Sequence, residues 1–520
     1  MRGSPVTDPT AAQKIAEGYN FASTAIELGS VSVDGQVDPT AKVRIPLPMM
    51  NRHGLVAGAT GTGKTKTLQQ IAEQLSAKGV PVVMADIKGD LSGLSNPGVS
   101  NDRIVARSQE TGDQWQPTAF PVEFMSLGSE GIGVPVRATI TQFGPILLSK
   151  VLGLNATQES TLGLVFHWAD TKGLPLLDLK DLREVFVYLT SDEGKPELKG
   201  IGGVSTQTAG VILRAVTNLE ADGGDTFFGE PQIDTKDLLR LAPDGRGIIT
   251  LFELGAQAAR PALFSTFLMW VLADLFQTLP ELGDIEKPKL VFIFDESHLL
   301  FNDASKAFQD QVVQTVKLIR SKGVGVFFCS QLPTDIPDEV LSQLGARIQH
   351  ALRAFTPNDQ KALTKTVKTY PVSDVYKLDE ALTSLGIGEA IVTVLSEKGA
   401  PTPVAWTMIR SPRSSMDAMA PDAITAAAKA SQLYSKYGQT IDSQSAYEML
   451  TSKMASPEEP AQAPPVPIPT SEPAPKPAPE EPGILTEVLT SKPMQSFLRS
   501  AASAAGREFS RSIFGTGRRR

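Results

Sequence analysis

"GLVAGATGTGKTKTL", Gly54 to Leu68, decides the fold. Within it, GATGTGKT (Gly58 to Thr65) satisfies the phosphate-loop pattern G-x-x-x-x-G-K-[ST] in full. The apolar run Leu55-Val56-Ala57 precedes it, KTKTLQQIAEQLSAKG follows with helical spacing, and VPVVMADI then reads as a second strand. Strand, Gly-rich loop, helix and strand form a βαβ unit, which implies a parallel sheet covered by helices.

The same stretch predicts a triphosphate site. Glycines let the backbone curl so that successive N–H groups of Gly58, Ala59, Thr60, Gly61, Thr62, Gly63, Lys64, Thr65 and Lys66 face phosphate oxygens, with the helix N-terminus adding its dipole. Lys64 is placed to set a point charge beside the β and γ phosphates of ATP, and Thr65 to ligate Mg²⁺.

A phosphate loop needs a second, acidic site for the metal, and KLVFIFDESH (Lys289 to His298) supplies one. Val291 to Phe294 read as a buried strand whose end presents Asp295, the expected Mg²⁺ partner, and Glu296, the expected base for the attacking water. Gln331 ends the next strand, in FFCSQLPTDIP, and is a candidate γ-phosphate sensor. Asp86 ends VVMADIKGD on the same rim, where a metal-bound role and a structural one weigh equally. His298 reads as structural, and Cys329, in an apolar run, as a small core residue rather than a nucleophile.

Bulk properties frame this. A chain of 520 residues exceeds what one core fills, so two or three units are expected. Its 41% hydrophobic and 20% charged residues are those of a soluble globular protein. A net charge of −8 excludes a uniformly basic surface but leaves room for a local basic channel. One cysteine rules out an intrachain disulfide and fits a reducing compartment. The N-terminus lacks an apolar signal region, and PALFSTFLMWVLADLF (Pro261 to Phe276) is too short for a membrane span and carries Asp274. No integral membrane segment and a cytoplasmic location are expected.

Organisation follows from pattern changes. Residues 1–48 hold a short β segment; 49–143 and 241–410 form the two parts of the α/β core; and 144–240 read as a mostly helical insertion. The stretch GEAIVTVLSEKGAPTPVAWTMI is expected to be a hairpin closing the sheet. Residues 411–455 read as a helical extension, 456–482 as a mobile Pro-rich linker, and 483–520 as a basic amphipathic tail.

NRHGLVAGATGTGKTKTLQ, ADIKGDLSGL, VFIFDESHLLF, the run from IRSKGVGVFFCSQ to ALRAFTP, and the ending AAGREFSRSIFGTGRRR together resemble the bacterial stand-alone HerA-like ATPases of the YjgR type, in the HerA/FtsK group. The resemblance covers residues 46–410 and the C-terminal tip. It implies a RecA-like P-loop core that assembles as a homo-oligomeric ring, usually a hexamer, hydrolysing ATP at subunit interfaces. It also implies an arginine finger acting on the neighbouring subunit, matched here by Arg320, with Arg347 and Arg353 as weaker candidates. The short N-terminal β segment, the helical insertion and the Pro-rich tail depart from archaeal relatives.

Two readings of what the motor moves stand side by side. One is double-stranded DNA, with Lys361, Lys365 and Lys368 on one helix face meeting phosphates, against the alternative of an ordinary solvated face. The other is a protein partner, engaged through the C-terminal tail. A small-molecule kinase fits less well, given the Asp-Glu pair and Gln331.

Overall fold

The computed structural model describes residues 10–198, 202–255, 260–283, 285–302 and 304–455. The Pro-rich linker and the basic tail lie outside the described residues.

Twelve strands form one sheet: β1 (Ala25–Val33), β2 (Gln36–Pro46), β3 (Gly54–Ala57), β4 (Val82–Asp86), β5 (Val122–Leu127), β6 (Val134–Val136), β7 (Ile249–Glu253), β8 (Leu290–Phe294), β9 (Val324–Ser330), β10 (Ala346–Gln349), β11 (Glu389–Thr393) and β12 (Ala405–Ile409). Their order is β2-β1-β12-β11-β10-β3-β9-β8-β4-β7-β5-β6. From β10 to β6 every neighbour is parallel, and from β2 to β10 every neighbour is antiparallel.

The central strands are apolar runs because both faces of a parallel sheet are covered. Side chains alternate across them with period two. Leu55, Val83, Phe292 and Phe328 enter one core, with Phe264, Phe267 and Trp270 of the helix Pro261–Thr278 and with Val312 and Val316 of Lys306–Ile319. Val56, Val82, Val291 and Phe327 enter the other, against Leu68, Ile71 and Leu75 of the helix Lys64–Ala77. The first core continues through the helices Ala156–Thr171, Leu179–Thr190 and Thr206–Ala221, which lie in the stretch expected to be helical.

Two expectations change. The hairpin β11–β12 does not close the sheet: β12 pairs on its far side with β1, and β2 is the edge. The N-terminal strands therefore extend the same sheet. Their partner lies more than 370 residues away in sequence, with Gly29 opposite Ile409, a pairing that local pattern does not reveal. Pro261–Thr278 is long and apolar enough to cross a bilayer, yet eleven of its residues, Leu263 to Leu272 and Leu275, are buried in the protein. Its Asp274, only half-buried, accepts a hydrogen bond from the Thr235 hydroxyl at 2.6 Å. It is a core helix.

Candidate nucleotide site

Four parallel strands, β3, β9, β8 and β4, end on one rim. Register fixes the alignment. Ala57 of β3 stands level with Ser330 of β9, and Phe294 of β8 with Phe328. Two residues further along, Glu296 therefore reaches the level of Ser330 and Ala57. The loop Gly58–Gly63, Gln331, and the pair Asp295–Glu296 therefore follow strand ends on the same rim.

All three glycines of the loop, Gly58, Gly61 and Gly63, sit at positive φ. Gly58 sits at φ +151°, and a Cβ there would come within 2.6 Å of the His350 Cβ. Gly63 sits at φ +112° as the N-cap of Lys64–Ala77, a helix start that carries no side-chain cap. Its first-turn amides, those of Lys64, Thr65 and Lys66, are the donors such an end offers to an anion. Neighbours hold the loop from outside: Ala59 N–H donates to Ala351 O at 2.8 Å, Gly388 N–H to Thr62 O at 3.0 Å, and Arg353 Nη2 to Thr60 O at 3.3 Å. Lys64 Nζ bends back over the loop, donating to Gly58 O at 2.7 Å and Ala59 O at 3.2 Å. The Lys66 ammonium turns to the Met416 carbonyl at 2.9 Å and to Gln69 Oε1 at 3.1 Å, which leaves its backbone amide as the group available to phosphate.

At the end of β8, Asp295 Oδ1 accepts the Glu296 amide at 2.9 Å. Burial pushes the Asp295 carboxyl above its usual range, and the Glu296 charge pushes it the same way. A bound cation would reverse both effects. Glu296 holds φ +46°, one of three positive values among non-glycine residues described. A left-handed glutamate costs about 1–2 kcal/mol, the kind of strain that gathers at functional sites. Lys88, in the loop after β4, reaches Glu296 Oε1 at 3.1 Å. His298 Nδ1 lies 3.5 Å from Oε2 without hydrogen-bond alignment.

Cys329 joins the two halves. It lies on β9 between the phosphate loop and the acids, fully enclosed as expected. Burial raises its thiol most; Asp295, its hydrogen-bond partner, raises it further, and Lys64 opposes. One side chain thus feels both the loop lysine and the strand-end acids.

Asp86 resolves to the structural role. Its two oxygens accept the amides of Gly89 at 2.6 Å, Asp90 at 3.2 Å and Leu91 at 2.8 Å. Arg320 lies at the opposite rim. It precedes β9, whose seven residues at about 3.3 Å each separate it from Gln331 by roughly 23 Å. There its charge acts on buried His53, ahead of β3. It cannot serve the phosphate loop of its own chain. Arg347 is spent on the carbonyls of Thr369 and Leu341.

Comparison with known proteins agrees with this fold. The family described as "Helicase HerA-like C-terminal" matches residues 32–520, nearly the whole chain. The chain belongs to this HerA-like family. It is an ATPase of the HerA/FtsK type. Among relatives, the DNA double-strand break repair helicase HerA of Saccharolobus solfataricus is 20% identical over 384 residues, covering 72% of this chain and 68% of its own. A probable helicase of Methanocaldococcus jannaschii is 23% identical over 400 residues, with 72% and 68% covered. Among solved structures, the bacterial conjugative coupling protein TrwBΔN70 superposes with a TM-score of 0.50 at 15% identity, over 79% of this chain and 95% of that one, and shares the fold.

For this HerA-like ATPase the structure adds two residues near the loop. His350, buried after β10, bonds Thr67 Oγ1 at 2.9 Å and Glu389 O at 2.8 Å; burial lowers its imidazole to about 4, keeping it neutral beneath the loop. Arg353, considered only for the neighbouring subunit, instead touches the loop of its own chain. Both follow β10, whose parallel pairing with β3 alone brings them there. No cluster of three His, Cys, Asp or Glu able to hold a metal occurs among the described residues.

Proposed function

We propose that the chain hydrolyses ATP at this rim and couples turnover to movement along double-stranded DNA, as a homo-oligomeric ring of six. The observation that carries the chemistry is the shared rim, where the parallel neighbours β3, β9 and β8 end side by side with the phosphate loop, Gln331 and the Asp295–Glu296 pair at their ends. The amides from Gly58 to Lys66 bind phosphate oxygens, and Lys64 swings from the loop carbonyls to the β and γ phosphates. Thr65 and Asp295 would hold Mg²⁺, which neutralises phosphate charge as the terminal bond breaks. Glu296 accepts a proton from the attacking water while Gln331 reports the γ-phosphate. Arg320, too distant from its own loop, acts on the adjacent subunit, where developing transition-state charge rewards a cation supplied in trans.

The relatives' printed role in DNA repair supports DNA as the track, as does one surface. Lys361, Lys365 and Lys368, on and capping the helix Pro357–Val367, are all exposed. Such lysines meet backbone phosphates without reading sequence. The core is taken as 49–143 with 241–410, the helical part 144–240 being inserted.

The test is the ATPase rate with and without double-stranded DNA over a salt series. Stimulation that falls steeply with salt is expected. No stimulation at low salt removes DNA and leaves a protein cargo. Mixed rings of Arg320→Ala and Glu296→Gln subunits should recover part of the activity; confirmed mixed rings without recovery remove the trans role.

A further inference from the structure

We infer that Lys88 is a positioning residue for hydrolysis: its ammonium fixes the direction of the Glu296 carboxylate toward the attacking water. The inference rests on Glu296 being the base. The contact joins two elements, the loop after β4 and the end of β8, with Lys88 Nζ meeting Glu296 Oε1 at 3.1 Å.

Both ends of the contact are prepared by backbone. On the lysine side, Asp86 ties the amides of Gly89, Asp90 and Leu91 into a tight turn, with Gly89 at φ +76°, so Lys88 projects from a fixed base. On the glutamate side, φ +46° sets where the side chain leaves the strand, but three further torsions remain free. His298 approaches the other oxygen without bonding it, so Lys88 provides the directional contact. Glu296 is 17% exposed and Lys88 53%. The pair is thus shielded enough on the acid side to hold its orientation, while the lysine stem stays near solvent.

An exposed ion pair adds little stability. Its consequence is therefore kinetic. A base swung by about 1 Å from its water loses up to roughly a hundredfold in rate. A carboxylate oxygen has two lone pairs, so Oε1 can accept from Lys88 and still face water.

The full chain is tested as Lys88→Met, Lys88→Arg, Glu296→Gln and the double variant Lys88→Met/Glu296→Gln, reading kcat, KM and binding of a fluorescent ATP analogue. Lys88→Met should lose roughly ten- to a hundredfold in kcat with KM for ATP held within about twofold. Lys88→Arg should restore most of it. The double variant should match Glu296→Gln alone, because a residue acting through another adds nothing once that partner is gone. A raised KM with unchanged kcat would make Lys88 a phosphate ligand and overturn the inference. So would additive losses, unchanged turnover, or faster turnover in Lys88→Met. Normal turnover by Glu296→Gln overturns the assignment of the base beneath it, a result distinct from all of these.

Discussion

Two strand ends on one rim, β4 and β8, carry nearly the same message and come to different uses. Each is a buried apolar run that stops at an aspartate: VVMAD ends in Asp86, and LVFIF runs into Asp295. Asp86 finds three backbone amides in the turn that follows and is consumed by them. Asp295 accepts one amide of its own loop, has the Cys329 thiol as its other partner, and is followed by a glutamate in a left-handed conformation. The difference lies in the next residues. Ile-Lys-Gly-Asp after β4 folds back because Gly89 takes φ +76°, presenting amides to the carboxylate. Glu-Ser-His after β8 is pulled sideways, Ser297 bonding Cys329 O through both its amide and its hydroxyl at 2.8 Å. An acid at a strand end is available for chemistry only when its own loop does not satisfy it.

The sharpest way to break this comparison is Glu296→Gln. The amide keeps the shape and removes the proton acceptor, so ATP binding should survive while kcat drops by about a thousandfold. Steady-state ATPase assays beside analogue binding check it. Turnover at the parental rate would show that the β8 end is no more catalytic than the β4 end.

A neighbour of Asp86 sharpens the other side. Glu253, at the end of β7 and paired across the ladder with Asp86, is 5% exposed and its Oε1 has no hydrogen-bond partner. Burial first, then the Asp86 charge, raises its carboxyl to about 8. Because the folded value lies above the unfolded one, its stabilising contribution is whole below about 4.5 and is lost as pH rises to about 8. Glu253→Gln should therefore gain stability relative to the parent at pH 9 over pH 4.5, by about 5 kcal/mol, because each tenfold change in proton affinity is worth about 1.4 kcal/mol while the amide's own burial cost is the same at both pH values. Thermal melts at the two pH values decide; an equal gain at both would mean that the carboxyl is not held neutral.

Most of the chemistry was legible because it is a spacing requirement. GATGTGKT can hardly be anything else between a strand and a helix, and the runs of β8 and β9 announce buried parallel strands ending together. What was not legible depends on partners distant in sequence. The strands β5 and β6 gave no reading, β6 being three residues of VPV. The place of β12 inside the sheet depends on β1, and His350 and Arg353 meet the phosphate loop only through the register of β10 with β3. Asp86 stayed even because the signal read, an acid after an apolar run, is the same one that Asp295 gives. The turn that separates them is a matter of side-chain reach rather than of pattern. The partner of the Lys66 ammonium was hidden in the same way, since the chain returning through Met416 lies far off in sequence.

The smallest expected effect tests the structural half directly. Asp86→Asn keeps volume but replaces one acceptor oxygen with an NH₂ group. The Oδ1 side of Asp86 serves Gly89 and Asp90, and the Oδ2 side serves Leu91. Whichever way the amide turns, at least one N–H, buried at Leu91 or part-buried at Gly89 and Asp90, faces a donor. An unsatisfied group of this kind costs about 1–3 kcal/mol, so the variant should unfold at lower denaturant with an unchanged m-value. The turn also carries Lys88, so its loosening should lower kcat only in proportion to how far Lys88 drifts from Glu296. A large kcat loss with unaltered stability would reverse the comparison, giving Asp86 the direct role in the chemistry that its three hydrogen bonds argue against.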